Sequence, residues 1–520
     1  MFSGFERGFM LTIFSLLPLV TLLVSLLILK QSASKSGAMS ILVAIVCAYA
    51  VFGMDVHGLS IAIGKGLSLA IYVLLIIWSA VFLYHVVHEF GAIDVINRNI
   101  VLFIKDPFVQ FLLLSWLFAS ILQGISGFGV PVIIVVPILI QLGFDPLKSV
   151  AAVLLGHSWA VSFGSMGSSY FTITLVTGLD QQRIGYAMVV FDCIAMLMTG
   201  LAVAYVYGGF SSVRKALFYV IPSTAVTTAV MMLVVHLDLV SLVALMGALS
   251  GFLTMYLLYR LREKPERVEK LYRSELSFAD ALLPYGVIIV LSLLFPVLRL
   301  DRFFLSFSFP EYTTSLGHFV QAEGAYAKIK WFGHPGPISL LAAFIALMRY
   351  RQIGIYSKDK LDTVKTQTVR KSIGTSVTLF FLISMALVMM DSGMTAELAT
   401  SVAMLTGGVF PLLAPYFGVL GSFITGSNTN SNVIFGEFQV SVAESLGVDP
   451  YIMAALQSIA GSAGVPLGPT NILMGASASG LAGNESGIYA KVLKPVLLTA
   501  AVLGVANYLM LSIWHMHIGG

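Results

Sequence analysis

The chain has 520 residues, 58% of them hydrophobic and only 10% charged, with a formal net charge of +4. That much apolar sequence exceeds what a soluble core can bury, so a soluble globular protein is excluded and a polytopic membrane protein is implied. Cys47 and Cys193 each lie alone in an apolar run, which excludes a disulfide framework and a cysteine metal cluster.

Apolar runs of about 20 residues, the length that crosses a bilayer, start at residues 9–29 and recur as far as 492–514. Roughly 12 to 14 helical spans are expected, some of them interrupted by Gly and Pro. The first has little basic charge before it and no small-residue cleavage site after it, so it reads as a span and not as a removed signal peptide. Lys and Arg gather in connecting loops: Lys30 and Lys35, residues 98–105, Arg214-Lys215, residues 260–273 and residues 349–371. Strict alternation puts all of these on one side, which the positive-inside rule makes cytoplasmic. Residues 301–334 are more polar and read as an external loop, an ordinary connector in the first instance with a cap over the site as the alternative. The expected organisation is a first half over residues 1–260, a basic connecting region with a two-helix excursion over 261–370, and a second half over 371–520.

The second half repeats the first. Gly143-Phe-Asp-Pro through Val161-Ser-Phe-Gly164 aligns without a gap on Gly447-Val-Asp-Pro through Val465-Pro-Leu-Gly468. Upstream, Ile125-Ser-Gly127 matches Ile424-Thr-Gly426. Loop charges bring the first Gly-rich run in from the cytoplasmic side and the second from outside. The expected fold is therefore an all-α polytopic membrane protein with two inverted-topology repeats that contain broken helices or re-entrant hairpins, and such repeats hold substrate near the midplane.

Three constellations carry chemistry. The stretch Gln123-Gly-Ile-Ser-Gly-Phe-Gly-Val-Pro131 is too rich in Gly and Pro to stay helical. Backbone freed at membrane depth is tolerated only against protein or a water-filled cavity. Its N–H groups, around Ser126, Gly127, Phe128 and Gly129, are suited to an anion at a half-helix start. The stretch Gly421-Ser-Phe-Ile-Thr-Gly-Ser-Asn-Thr-Asn-Ser-Asn432 lies between apolar runs. Unpaired amides and hydroxyls are costly there, so Ser427, Asn428, Thr429, Ser431 and Asn432 must face a ligand, an ion, water or one another. Beyond each Asp-Pro come His157-Ser158 in one copy and Gln457-Ser458 with Thr470-Asn471 in the other. His157 titrates near neutrality and is a candidate for substrate contact or proton coupling, with Glu437 and Asp192 as further proton candidates. Enzyme motifs find no match: there is no Gly-x-Ser-x-Gly elbow, no His-Glu-x-x-His and no Walker loop, and His85, His88 and Glu89 read as an interfacial cluster.

At these residues the chain resembles the lactate permease family of bacterial and archaeal secondary transporters. The resemblance rests on Gly127-Phe-Gly-Val-Pro131, Leu142-Gly-Phe-Asp-Pro-Leu147 and Val161-Ser-Phe-Gly164. In the second half it rests on Gly421, Thr425-Gly-Ser-Asn-Thr-Asn-Ser-Asn432, Phe435-Gly436 and Leu446-Gly447. Ser427-Asn-Thr429 also looks like the Ser-Asn-Thr signature of the wider ion transporter superfamily. The resemblance implies proton-coupled uptake of lactate, glycolate or a related 2-hydroxy monocarboxylate across the cytoplasmic membrane of a prokaryote. The family pattern has an acidic residue where this chain has Gln123, an Asp where it has Asn428 and a Lys where it has Val465. These departures make Na⁺, held near Ser427, Asn428 and Thr429, the alternative coupling ion.

The reading is an ion-coupled secondary transporter of a small organic anion, moving by an elevator-like displacement within the lipid bilayer. No cofactor, resident metal or nucleic-acid partner is expected, and a homo-oligomer is allowed but not specified. An anion channel is the competing class, but a pore would more naturally carry rings of charge.

Overall fold

The structure, a computed structural model, describes residues 4–102, 104–127, 129–263, 275–298 and 300–518. Most of the basic stretch 260–273 lies outside them.

The first half opens with α1 (Gly4–Leu23), α2 (Ala33–Ala50), α3 (Val56–Glu89) and α4 (Ala92–Leu102). A broken pair follows: α5 (Pro107–Leu112) runs through a wide turn at Leu113–Phe118 into α6 (Ala119–Ile125), and α7 (Val130–Gln141) returns. Next come α8 (Pro146–Gly156), a tight turn at Ser158–Val161, α9 (Gly164–Thr177), α10 (Gln181–His236) and α11 (Val243–Glu263). The excursion is α12 (Phe278–Val297), strands β1 (Phe304–Phe309), β2 (Tyr312–Thr313), β3 (Phe319–Val320) and β4 (Glu323–Lys330), then α13 (Pro335–Gln352). The second half holds α14 (Lys358–Asp391), α15 (Met394–Thr406), the hairpin α16 (Phe410–Thr425) and α17 (Asn428–Leu446), then α18 (Pro450–Gly464), a turn at Val465–Leu467, α19 (Pro469–Ser479) and α20 (Glu485–Ile518).

Ten helices among the described residues are long and apolar enough to cross a membrane, fewer than the 12 to 14 runs expected from sequence. The difference has a physical origin. The runs through α7, α8, α9, α18 and α19 are half-helices that stop inside the protein, and apolar length alone does not distinguish them from full spans. In the other direction, the 56 residues of α10 form two antiparallel arms, reversed at Gly208 and Gly209 (φ −155° and +68°). Gln182 Nε2 donates to the His236 carbonyl (3.2 Å) and the Tyr186 hydroxyl meets His236 Nδ1 (2.9 Å), closing the arms at one end.

The best-matching motif of the two halves is a corner. Gly143 (φ +88°) and Gly447 (φ +67°) turn the chain in the left-handed region. Asp145 Oδ1 then accepts the Lys148 amide (2.8 Å), and Asp449 Oδ1 accepts the Tyr451 amide (2.7 Å). In both, an Asp N-cap followed by Pro at the first helical position starts a new half-helix.

Residues 301–334 depart from the expected plain connector. β1 pairs antiparallel with β4 and β2 with β3, making two small sheets. They dock on the start of α3 and the end of α14: Ser315 donates its amide and hydroxyl to the Gly53 carbonyl (2.9 and 3.1 Å), and the Tyr312 hydroxyl donates to the Asp391 carbonyl (3.2 Å). At the opposite, basic end, Arg349 Nε donates to Asp280 Oδ1 (2.7 Å) and ties α13 to α12. The α6–α7 hairpin enters from the basic end, beside Lys105, and the α16–α17 hairpin from the strand end. The halves are thus inverted relative to one another.

Candidate functional site

Both hairpins and both broken helices converge. In the first hairpin Gly127 and Gly129 lie at φ +59° and +80°, and α7 starts immediately after. In the second, Gly426 (φ +68°) turns the chain and Ser427 caps α17, its hydroxyl accepting the Asn430 amide (3.4 Å). Each tip presses on the break of its own copy. A Cβ on Gly127 would overlap Ser165 Oγ, and one on Gly426 would overlap Thr470 Oγ1. Ser165 aligns with Pro469, the neighbour of Thr470, so the same contact is made twice. The breaks are unequal, however. Ser165, Met166 and Gly167 all take left-handed backbone (φ 48°, 55° and 85°), whereas Gly468 is extended. Two successive non-glycine residues in that region carry strain of about 1–3 kcal/mol each, and such strain clusters at functional sites.

Between tips and breaks lies a cavity of about 70 Å³. The first copy lines it with Gln123, Gly129, His157, Val161, Ser165, Ser168 and Ser169, and the second with Gly426, Ser427, Asn428, Thr429, Val465 and Asn471. At roughly 10–15 Å³ per water-sized group, it has room for on the order of five or six non-hydrogen atoms. Val161 and Val465 are aligned partners and form an apolar patch in an otherwise polar wall. His157 is the one ionisable side chain in the lining. Its Nδ1 meets the Val153 carbonyl at 2.5 Å, which makes Nδ1 the protonated nitrogen and leaves Nε2 as the acceptor of the neutral ring.

Beside the cavity, hydroxyls and amides join the copies. Ser462 Oγ donates to the Ser158 carbonyl (2.5 Å) and accepts the Ser162 amide (3.1 Å). Ser162 Oγ donates to the Ser458 carbonyl (2.9 Å) and accepts Asn428 Nδ2 (3.2 Å). Asn432 Nδ2 donates to the Ser169 carbonyl (3.0 Å) and Ser458 Oγ (2.9 Å), and Ser169 Oγ lies 3.0 Å from Thr429 Oγ1. Because the Ser162 proton is committed to Ser458, Asn428 must turn its nitrogen toward Ser162. Its Oδ1, like that of Asn432, is then buried without a donor.

Of the residues expected at the site, Gln123, Gly129, His157, Ser427, Asn428, Thr429 and Asn471 line the cavity. Asn471 also braces the tip, donating to the Gly426 and Val465 carbonyls (3.2 and 2.9 Å). Ser126, Gly127, Ser158, Ser431, Asn432, Gln457, Ser458 and Thr470 stand behind the lining. Ser431 Oγ donates to the Gly418 carbonyl (2.9 Å) and takes a bond from Gln457 Nε2 (3.1 Å), which holds α17 to α16 and α18. Phe128 lies outside the described residues. The expectation that the first tip offers free amides is only partly met. The amides of Val130, Val132 and Ile133 already bond to the Gly127 and Gly129 carbonyls (3.0, 3.1 and 3.1 Å). At the second tip the positive end of the α17 dipole faces the cavity through Ser427, Asn428 and Thr429. Asp192 and Glu437 do not line the cavity. Asp192 is buried in α10 with no partner at either oxygen, and Glu437 Oε1 accepts the Ser441 hydroxyl at 3.4 Å.

Sequence reasoning did not name Val161, Ser165, Ser168 or Ser169 as site residues, and took Val465 only as a departure from the family pattern. The hydroxyl run Gly164-Ser-Met-Gly-Ser-Ser169 was the available signal for the serines. It also missed the ion pair between Lys65 Nζ and Asp391 Oδ2 (3.4 Å), in which both side chains are only 3% exposed.

Comparison with known proteins identifies the family and the fold. The L-lactate permease of Streptococcus iniae is 28% identical over 468 residues, covering 85% of this chain and 93% of that one. Glycolate permease GlcA of Escherichia coli K12 is 26% identical over 539 residues, covering 95% and 94%. The L-lactate permease of Bacillus subtilis 168 is 26% identical over 546 residues, covering 95% of each. Among solved structures, the YdaH transporter of Alcanivorax borkumensis shares the fold with a TM-score of 0.51 at 14% identity, covering 91% of this chain and 98% of that one. With the L-lactate permease family model matching residues 11–514, the chain belongs to that family: it is a multi-pass permease of a prokaryotic cell membrane, not an enzyme.

Proposed function

We propose that the protein is a secondary active symporter that carries a small 2-hydroxy monocarboxylate, lactate or glycolate, across the cytoplasmic membrane together with a proton. The observation that carries this reading is the small cavity lined by both inverted copies, with His157 its one ionisable side chain. A carboxylate in such a site draws on the positive end of α17 and on the Ser and Asn donors, and a substrate hydroxyl can donate to His157 Nε2. Val161 and Val465 offer an apolar wall to a methyl group, and about five or six non-hydrogen atoms is the size of a two- or three-carbon hydroxy acid. The relatives named as lactate and glycolate permeases support the same class. Alternating access follows from moving the two hairpins and their broken helices against α2, α3, α13 and α14, none of which lines the cavity.

A sodium-coupled version has one specific observation in its favour. Asn428 Oδ1 and Asn432 Oδ1 are buried acceptors without donors, among the hydroxyls of Ser162 and Ser458. The deciding experiment is counterflow in liposomes with labelled L-lactate, glycolate, pyruvate and acetate, with pH and Na⁺ gradients imposed separately. Counterflow of hydroxy acids that becomes accumulation under a pH gradient alone supports the proposal. Accumulation under a Na⁺ gradient alone supports the sodium version, and absence of hydroxy-acid counterflow overturns both.

A further inference from the structure

The Lys65–Asp391 pair is hard to explain as a source of stability. Lys65 belongs to α3 and Asp391 ends α14, two helices that pack along their length with Ser384 set against Gly66. The 3.4 Å separation is long for a hydrogen bond, and no other donor reaches Asp391 Oδ2. Burying two ions without full compensation costs more than a well-packed apolar pair would. A buried intramembrane ion pair of this kind is instead a mark of function.

Three further groups surround the pair. β4 brings the Tyr326 ring to 5.9 Å from Lys65 Nζ, and its buried hydroxyl has no partner. Tyr326 lies within electrostatic reach of Asp391, Glu323 and Glu437. Glu437 itself senses Asp391 across the α14–α17 contact and Glu444 on its own helix. Among the described residues no Lys, Arg or His pairs with Glu437. α9 meets this stretch with Ile173 and Val176 at Gly436, and the one acidic group of α15, Glu397, takes its bond from Thr12 (3.4 Å) on α1. The cluster therefore holds one lysine for three carboxyls: Asp391 at the end of α14, Glu323 on β4 and Glu437 on the helix whose first turn lines the cavity.

We infer that Glu437 carries the coupled proton, and that Lys65, paired here with Asp391, is its alternate counter-ion. The inference rests on the proton-symport reading above. While Lys65 is held by Asp391, Glu437 faces only acidic neighbours and is a neutral carboxylic acid. Lys65 is rooted well inside α3, roughly 14 Å from the strand end at 1.5 Å per residue, and extends outward to Asp391. Displacement of α17 toward the basic end takes Glu437 away from Asp391 and toward Lys65. The ammonium then favours the Glu437 carboxylate, whose O–H bond breaks and releases one proton to water on that side, while Asp391, left without its cation, takes up a proton from the strand end and returns it there when Lys65 comes back. The mobile part has the same charge in both directions, with substrate anion and neutral Glu437 when loaded, and ionised Glu437 when empty.

The test uses the full chain in liposomes with labelled L-lactate, and two measurements: exchange of labelled for unlabelled L-lactate, and accumulation driven by an inside-alkaline pH gradient. Exchange needs no net proton release, so Glu437→Gln is expected to exchange at the wild-type rate and to lose accumulation. The double variant Lys65→Met with Asp391→Asn, which removes the alternate counter-ion without stranding a charge, is expected to behave the same way. Wild-type accumulation in either variant, or joint loss of exchange and accumulation in both, overturns the inference. Failure of the wild-type protein to exchange L-lactate would instead overturn the symport reading on which it rests.

Discussion

Gly461 makes room for Asn428: a Cβ at position 461 would overlap Asn428 Oδ1, and this is the position that the first copy fills with His157. The two copies thus break their symmetry at one aligned position. One side of the cavity gains an imidazole, and the other loses a side chain so that an amide from the hairpin tip can occupy the space.

The first prediction follows directly. Gly461→Ala forces Asn428 off its bond to Ser162, at a cost of about 1–3 kcal/mol for overpacking a tight interior. L-lactate counterflow is expected to fall by about tenfold or more, since each 1.4 kcal/mol is a factor of ten. Fluorescence-detected size-exclusion chromatography should show a folded protein. Wild-type counterflow would contradict the packing.

Asn428→Ala removes the donor to Ser162 and a cavity-lining amide together. Uptake is expected to be abolished with expression intact. Unchanged uptake of every carboxylate tested would remove Asn428 from the site.

His157 distinguishes binding from gating. With Nδ1 held by Val153, the neutral ring offers Nε2 as an acceptor, and His157→Phe keeps the ring but removes that acceptor, so KM for L-lactate is expected to rise by about tenfold with little change in maximal rate. Steady-state uptake over a range of lactate concentrations measures both.

The Lys65–Asp391 pair gives a stability signature. Lys65→Met alone strands a buried carboxylate and is expected to destabilise by about 3–5 kcal/mol, whereas adding Asp391→Asn restores most of that loss. Thermal unfolding in detergent should show a non-additive cycle. Equal destabilisation by the single and the double variant would mean that the charges do not interact.

At the strand end, His334 caps α13, its Nδ1 accepting the Gly336 amide (3.1 Å), while its ring meets Tyr72 edge-on at 4.4 Å. Burial pushes His334 down to about 4. A depressed histidine stabilises the fold in its neutral form. That contribution is complete above the unfolded value near 6.5 and is lost as pH falls toward 4, at about 1.4 kcal/mol per pH unit. His334→Asn keeps a capping oxygen without titrating, so its thermal stability should fall less than that of wild type between pH 6.5 and 4.

The inverted repeat and the position of its breaks were legible because Gly density and loop charge are local signals. Gly143-Phe-Asp-Pro was legible as a match but not as a corner, because an Asp N-cap and a first-turn Pro look the same whether the helix they start is a full span or half of one. Val161 was invisible because a valine that faces a cavity has the same sequence surroundings as one that faces lipid, and Val465 stood out only as a departure from the family pattern. Lys65 stands alone in 34 residues of largely apolar helix, and its partner Asp391 comes more than 300 positions later, so only the packing of α3 on α14 joins them.

The contact of each hairpin tip with the break of its own copy has a consequence for the origin of the chain. Gly127 on Ser165 and Gly426 on Thr470 are closures made within one copy, so a half-length polypeptide already contains what it needs to shape its side of the cavity. Two such polypeptides, inserted in opposite orientations, would enclose a symmetric chamber. Joining them in one gene frees each lining position to evolve separately, and a histidine on one wall opposite a glycine on the other is an arrangement that only a fused descendant can hold.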